Sequence, residues 1–292
     1  MITRRRLVGG AGAAVAAFAV ARAEAVPRFM GLPADFAKIE ADIRGRLGVA
    51  VLDTLTQARA THRADERFPM CSTFKLLAAA AVLARVEAGK ERLDRRIRFE
   101  TRDIVVNSAS TKDRAGGEGM TLAELCEAAM IVSDNTAGNL LLATLGGPAG
   151  LTAYARSLGD AVTRLDRIEP DLGEVIDGDP RDTTSPAAML SNLHALVLGN
   201  VLTANSKDQL TRWLLGNKTG DTRLRAGLPS GWRVGDKTGS GERGTTNDVG
   251  IIWPPERAPV LVSIYLTGTS AGAEQRNATL AAVGRAVAAA LG

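Results

Sequence analysis

Met70-Cys71-Ser72-Thr73-Phe74-Lys75-Leu76-Leu77-Ala78-Ala79-Ala80-Ala81-Val82-Leu83-Ala84 is apolar nearly all round from Phe74 onward, with Lys75 the one charge. A surface helix shows a polar face, so a helix without one belongs inside a core. Gly89 is a plausible stop for it. Ser72 and Lys75 are three residues apart and share one face at the start of that helix. There the helix dipole favours negative charge. A desolvated lysine with cationic neighbours loses its proton more readily and can then act as base toward a serine hydroxyl. The S-x-x-K spacing alone is weak, because a capping serine beside a solvated lysine produces it too.

Around this helix the periodicity changes twice. On the N-terminal side, Ala34 to Gly45 reads as an amphipathic helix carrying Phe36, Ile39 and Ile43. Leu47–Leu55 and Arg59–Ala64 read as two strands joined by a short turn. On the C-terminal side, Thr121-Leu122-Ala123-Glu124 is a capping box opening a helix to about Met130. A further helix runs from about Thr136 to Leu145 and stops at Gly146-Gly147-Pro148. Ser185-Pro186 caps another through about Leu198, with proline in the tolerated first position. Strands return at Trp232–Lys237, Thr246–Trp253 and Val260–Thr267, and a helix spans Ala273–Leu291. Strands at both ends around a helical middle predict an α/β fold. Its mixed antiparallel sheet, flanked by helices, comes from residues 26–70 and 216–292, with an all-helical lobe inserted over 71–215. Between Asp160 and Thr184 lies a charged loop with Pro170 and Pro180 and no period, and loops that long are usually functional.

The 292 residues are 45% apolar and 23% charged, which excludes disorder and collagen-like repeats. Aromatics at 4% leave no stacking platform for single-stranded nucleic acid. No run of about 20 strongly apolar residues is present, which excludes a polytopic membrane protein. The net charge is +4, but residues 1–25 hold four arginines against one glutamate; the rest carries 32 basic and 31 acidic groups. That balance gives no nucleic-acid footprint.

Residues 1–25 read as a targeting segment. Arg4, Arg5 and Arg6 precede an uncharged Ala/Gly-rich run from Leu7 to Ala21, and small-residue cleavage sites follow up to Ala25. Thr3-Arg4-Arg5-Arg6-Leu7-Val8 resembles a twin-arginine export signal; an ordinary Sec leader is the alternative. Either way the mature chain is expected to be exported, periplasmic or secreted, as a monomer with no stable membrane anchor. Cys71 and Cys126 are the only cysteines. Export permits a disulfide, but buried free thiols are the expectation. No metal-ligand cluster is present and no cofactor is implied.

A Ser-His-Asp triad needs a histidine base, and only His62 and His194 exist, with no G-x-S-x-G serine to serve. Gly216-Asn217-Lys218-Thr219 lacks the ending and preceding strand of a phosphate loop. Ser133-Asp134-Asn135 joins two helical patterns and could place a hydroxyl and an amide at a cleft edge, or simply cap. Lys-Thr-Gly occurs twice. Lys218-Thr219-Gly220 reads as a turn, whereas Lys237-Thr238-Gly239 follows a strand pattern that can hold an ammonium and a hydroxyl along one pocket wall.

Taken in order, these three elements resemble the penicilloyl-serine transferases, the group of serine β-lactamases and penicillin-binding proteins. Arg167-Ile168-Glu169-Pro170-Asp171-Leu172, with Arg181-Asp182-Thr183-Thr184, resembles the Ω-loop of class A β-lactamases. The resemblance runs from about Phe36 to Leu291. It implies β-lactam antibiotics as substrates, a covalent acyl-serine intermediate and antibiotic resistance. Ser72 would be the nucleophile, with Lys75 and Glu169 as general bases. Ser133 would relay a proton to the lactam nitrogen. Asn135 would hold the acyl side-chain amide, and Lys237, Thr238, Ser240 and Arg223 would bind on the substrate-carboxylate side. The N–H groups of Ser72 and Ser240 would form the oxyanion hole, and Arg167 with Asp182 would clamp the Ω-loop. A penicillin-binding D-alanyl-D-alanine peptidase and a non-hydrolysing β-lactam receptor are the rivals, and Glu169 argues against the first.

The chain also departs from the family pattern. Gly173 stands where an asparagine usually helps hold the deacylating water. Asn107 replaces an aromatic at the cleft mouth, and Thr246 replaces an alternative arginine, which favours Arg223. Gly241 stands where carbapenem-hydrolysing relatives often place a cysteine to pair with the one at Cys71.

Overall fold

The structure is a computed structural model that describes residues 29–292; the expected export leader lies outside the described residues. Helix α1 covers residues 29–43. It begins before Ala34 because Phe29 and Leu32, both about 1% exposed, prolong the buried stripe of Phe36 and Ile43. Strand β1 (Arg46–Asp53) turns back into β2 (Arg59–His62). A short β3 (Phe68–Pro69) leads through a 3-10 turn, Cys71–Thr73, directly into α2 (Phe74–Glu87). Every side chain of α2 from Phe74 to Leu83 is buried, as its uninterrupted apolar run requires.

Strands β4 (Arg96–Ile97) and β5 (Met120–Thr121) pair with each other just before α3 (Leu122–Ile131). Both bonds of the Thr121/Glu124 capping box form. Helix α4 (Asn135–Leu145) starts on the Asp134 side chain, which accepts from Ala137 N. Gly146, at φ +90°, ends α4 and at once opens α5 (Gly147–Ser157), so the Gly-Gly-Pro stop is a start as well. The long loop then returns to β6 (Thr183–Thr184), paired with β3, and α6 (Pro186–Val197) follows on its Ser185 cap. Helix α7 (Ala204–Leu215) precedes β7 (Arg233–Ser240), β8 (Thr246–Trp253), β9 (Val260–Thr267) and α8 (Ala273–Leu291). Strand β7 outruns its expected end at Lys237, so Lys237-Thr238-Gly239 lies within the strand.

Strands from both ends of the chain make one five-stranded antiparallel sheet, in the order β2-β1-β9-β8-β7. The long strands are buried almost throughout, the mark of a sheet covered on both faces. One face carries Val49, Val51, Val262 and Ile264 against α1 and α8. The other carries Leu52, Ile251, Leu261 and Tyr265 into the core shared with α2, α3 and α6. The 3-10 turn Cys71–Thr73 ahead of α2 lies against β7 and β8, which places Ser72 beside the Lys237 strand.

Candidate active site

Ser72 sits in the 3-10 turn that feeds α2, after Cys71 in the left-handed region at φ +44°. That backbone costs energy for a non-glycine residue, and such strain persists where packing fixes it. One helical step on, Lys75 is wholly buried. Its Nζ donates to Ser72 Oγ at 3.0 Å, Ser133 O at 2.8 Å and Asn135 Oδ1 at 2.7 Å. It also lies 3.2 Å from Glu169 Oε1. Burial lowers the Lys75 ammonium below its ordinary pKa, while Glu169 pulls the other way. Ser72 Oγ donates to Glu169 Oε1 at 3.2 Å, so the hydroxyl lies between an amine and a carboxylate.

Each neighbour is held by its own element. Ser133, at φ +58°, occupies the bend between α3 and α4, and Asn135 is the first residue of α4. Asp134 between them is buried and accepts from Ser110 N, Thr111 N and Thr111 Oγ1 as well as Ala137 N. Glu169 is brought in by the long loop and fixed through its backbone: Asn139 Oδ1 accepts from Glu169 N at 2.9 Å, and Asn139 Nδ2 donates to Glu169 O at 2.8 Å. At the neck of that loop, Arg167 Nε donates to Asp182 Oδ2 at 2.6 Å. Asp182 is buried and also accepts from the N–H groups of Asp166 and Arg167.

The opposite wall is cationic. Lys237 Nζ donates to Ser133 Oγ at 3.0 Å. Burial, with the Lys75 and Arg223 charges nearby, sets the Lys237 pKa well below the ordinary lysine range. Arg223 is not a solvated helix-end charge. It donates to Gly239 O, Asn247 O, Asn277 Oδ1 and Ser240 Oγ. Its pKa is lowered by burial and supported by Asp248 and Asp236. Ser72, Ser133, Asn135, Glu169, Arg223, Thr238 and Ser240 line one cavity of about 410 Å³, with Lys75 and Lys237 beneath it.

A sequence model of the Beta-lactamase enzyme family matches residues 32–291. The chain is 46% identical to Beta-lactamase L2 of Stenotrophomonas maltophilia over 98% of both chains. It is 51% identical to Beta-lactamase AST-1 of Nocardia asteroides over 88% of this chain and 83% of that one. A solved class A β-lactamase described as the last common ancestor of Gram-negative bacteria superposes with TM-score 0.88 at 61% identity, covering 90% of this chain and all of the other. The chain belongs to the class A β-lactamases. It is a hydrolase of that family, and its α/β fold with an inserted helical region is the family fold.

In this β-lactamase several residues at the site carry no motif of their own. Asn139 lies one turn after Asn135, on the same α4 face, and that spacing was the available signal. Gly138 gives Lys75 its room: a Cβ there would stand 2.8 Å from Lys75 Cε. Thr219, in the Lys-Thr-Gly read as a mere turn, lines the cavity and its hydroxyl meets that of Thr238. Arg276 donates to Thr246 Oγ1, so an arginine reaches that position from α8. Cys71 and Cys126 are free and buried, and burial pushes the Cys71 thiol up to about 12. A Cβ at Gly241 would stand 2.7 Å from Cys71 Sγ.

Among the described residues no group of His, Cys, Asp and Glu is placed to hold a metal ion, and no helix is long and apolar enough to cross a membrane.

Proposed function

We propose that the chain opens β-lactams through an ester on Ser72. The observation that carries this is the placement of Ser72 Oγ between Lys75 Nζ and Glu169 Oε1. In acylation, Oγ bonds to the lactam carbonyl carbon while its proton passes into the Lys75–Glu169 pair. The N–H groups of Ser72 and Ser240 hold the oxyanion, where one donor is worth about 3 kcal/mol. As the C–N bond breaks, Ser133 Oγ protonates the nitrogen and is resupplied from Lys75 or Lys237, at 3.4 and 3.0 Å. In deacylation Glu169 takes a proton from water, the oxygen attacks the ester and Ser72 Oγ leaves with a proton.

Asn135 offers its amide to the acyl side chain, and Lys237, Thr238 and Arg223 take the carboxylate. The Arg167–Asp182 pair keeps the Glu169 loop in place. We read the molecule as an α/β lobe, 26–70 with 216–292, and a helical lobe, 71–215, with the site at their junction. The protein is read as exported and monomeric, with the residue 1–25 leader removed. Replacing Arg4 and Arg5 by lysine should strand precursor in the cytoplasm; normal export would point to Sec.

Intact mass after mixing with a penicillin tests the chemistry. Glu169→Gln should hold a persistent adduct of one penicilloyl group, and Ser72→Ala none. A long-lived adduct on the unmodified protein, without product, would overturn the hydrolytic step.

A further inference from the structure

The first Lys-Thr-Gly is more than a turn. Lys218-Thr219-Gly220 follows α7, and Lys218 N donates to Ile131 O at 2.9 Å. A chain of side chains then joins it to buried Asp236. Arg225 holds both oxygens of that carboxylate, Nη2 on Oδ1 at 2.8 Å and Nε on Oδ2 at 3.1 Å. Asn217 Nδ2 donates to Asp236 Oδ1 at 2.7 Å. With its nitrogen spent there, buried Asn217 turns its oxygen to Thr219, where Oδ1 accepts from Thr219 N at 3.0 Å and from Thr219 Oγ1 at 2.7 Å. Reversing the amide would set its oxygen against a carboxylate and its NH2 against an N–H, so one orientation is fixed. Gly220 completes the arrangement, because a Cβ there would run into the Asp236 carboxylate. A hydroxyl carries one proton. Thr219 gives its proton to Asn217, so in the contact between the two hydroxyls Thr238 is the donor. The Thr238 oxygen, on the cavity wall, is left with lone pairs alone to offer a ligand.

A carboxylate has only lone pairs too, so the resting polarity of this pair is wrong for it. We propose that Thr219 is a positioning residue, and that Thr219 and Thr238 form a two-hydroxyl relay that reverses when a carboxylate enters the cavity. The Thr238 O–H turns to the ligand, the Thr219 O–H turns from Asn217 to Thr238, and Asn217 Oδ1 keeps the Thr219 N–H. Each proton stays on its own oxygen and only hydrogen bonds are exchanged. The inference rests on the reading that seats the substrate carboxylate at Lys237, Thr238 and Arg223. Those two cations draw the anion in, and a hydroxyl that accepts a hydrogen bond donates a stronger one, so Thr219 tightens the hold of Thr238. A ligand without an anion leaves the pair at rest.

The test uses two acylaminomethylboronic acids, which bond reversibly to a nucleophilic serine and differ only in a carboxyphenyl group that one of them carries. Thr219→Val keeps the shape and removes the hydroxyl. It should raise the inhibition constant of the carboxylate-bearing compound about fivefold and change that of the other by less than about twofold. Thr219→Ser should restore the first value. Neutron diffraction from deuterated crystals should place the Thr238 deuteron toward Thr219 in the free protein and toward the carboxylate in the complex. Equal change for both compounds in Thr219→Val, no change for either, or a Thr238 deuteron already facing the cavity in the free protein would overturn the relay. If the unmodified protein binds the carboxylate-bearing compound no better than the other, the seating of the carboxylate is wrong, and the relay falls with it.

Discussion

Lys75 illustrates how much of this site depends on the space left around one atom. The serine and lysine were legible from their spacing, but nothing in Asn135-Thr136-Ala137-Gly138-Asn139 announces that Gly138 makes room for the lysine stem or that Asn139 grips the Glu169 backbone. Gly138→Ala should therefore displace Lys75 at an overpacking cost of about 1–3 kcal/mol. Acylation should fall at least about tenfold, read by stopped-flow, and unaltered acylation would show that Lys75 repacks freely. Arg223→Ala should lower kcat/KM for carboxylate-bearing substrates about tenfold, which corresponds to about 1.4 kcal/mol. Because two backbone carbonyls also lose their donor, thermal stability should drop as well, and unchanged kinetics would remove Arg223 from the site. Asp248, buried beside Asp236 and near Arg223 and Arg225, has its carboxyl raised well above the usual range, chiefly by burial. A raised folded pKa means the folded state keeps a proton that the unfolded chain releases, so this stability is present at low pH and lost as pH rises through the folded value. Asp248→Asn cannot titrate. Denaturant melts from pH 4 upward should show the parent losing stability relative to the variant, and a constant difference would refute the shift.

At the scale of elements, the Ω-loop shows what a linear reading can and cannot deliver. Its length and its Arg-Ile-Glu-Pro core were plain. That Arg167, 15% exposed, meets a buried Asp182 rather than forming a surface pair depends on burial that a sequence does not display. Removing one partner of a buried pair strands the other, at about 3–5 kcal/mol. The N–H groups of Asp166 and Arg167 still serve Asp182 in Arg167→Ala, so the loss should sit near the lower figure. Equilibrium unfolding would measure it, and faster proteolysis within 160–184 should accompany it. Beside that loop, Gly241→Cys should form a disulfide with Cys71. The thiol at about 12 exposes little thiolate at neutral pH, so the bond should form slowly without catalysis. A non-reducing mass shift of two hydrogens checks this, and two persistent free thiols under oxidant would contradict it. Helix α5 escaped the sequence reading because it starts on glycines that look like a terminator.

For the whole molecule, strands at the two chain ends with helices between them already specify the architecture, since each apolar pattern must find a layer to cover it. What they leave open is the meeting of distant segments. Left-handed bends at Cys71, Asn107 and Ser133 border the cleft, which Ser72, Asn107 and Ser133 line, yet none of these residue types demands such a bend. The strand order carries one more consequence, for the order of synthesis. Strand β9 lies between β1 and β8, so the sheet's middle is the last strand the ribosome makes. Without Val260–Thr267, the apolar strands β1 and β8 each have an edge of unpaired backbone groups, the kind of edge that pairs with other chains. Truncation just before Val260 should therefore yield insoluble, inactive protein rather than a weakened enzyme, and the newborn chain needs shielding until Val260–Thr267 is free to pair.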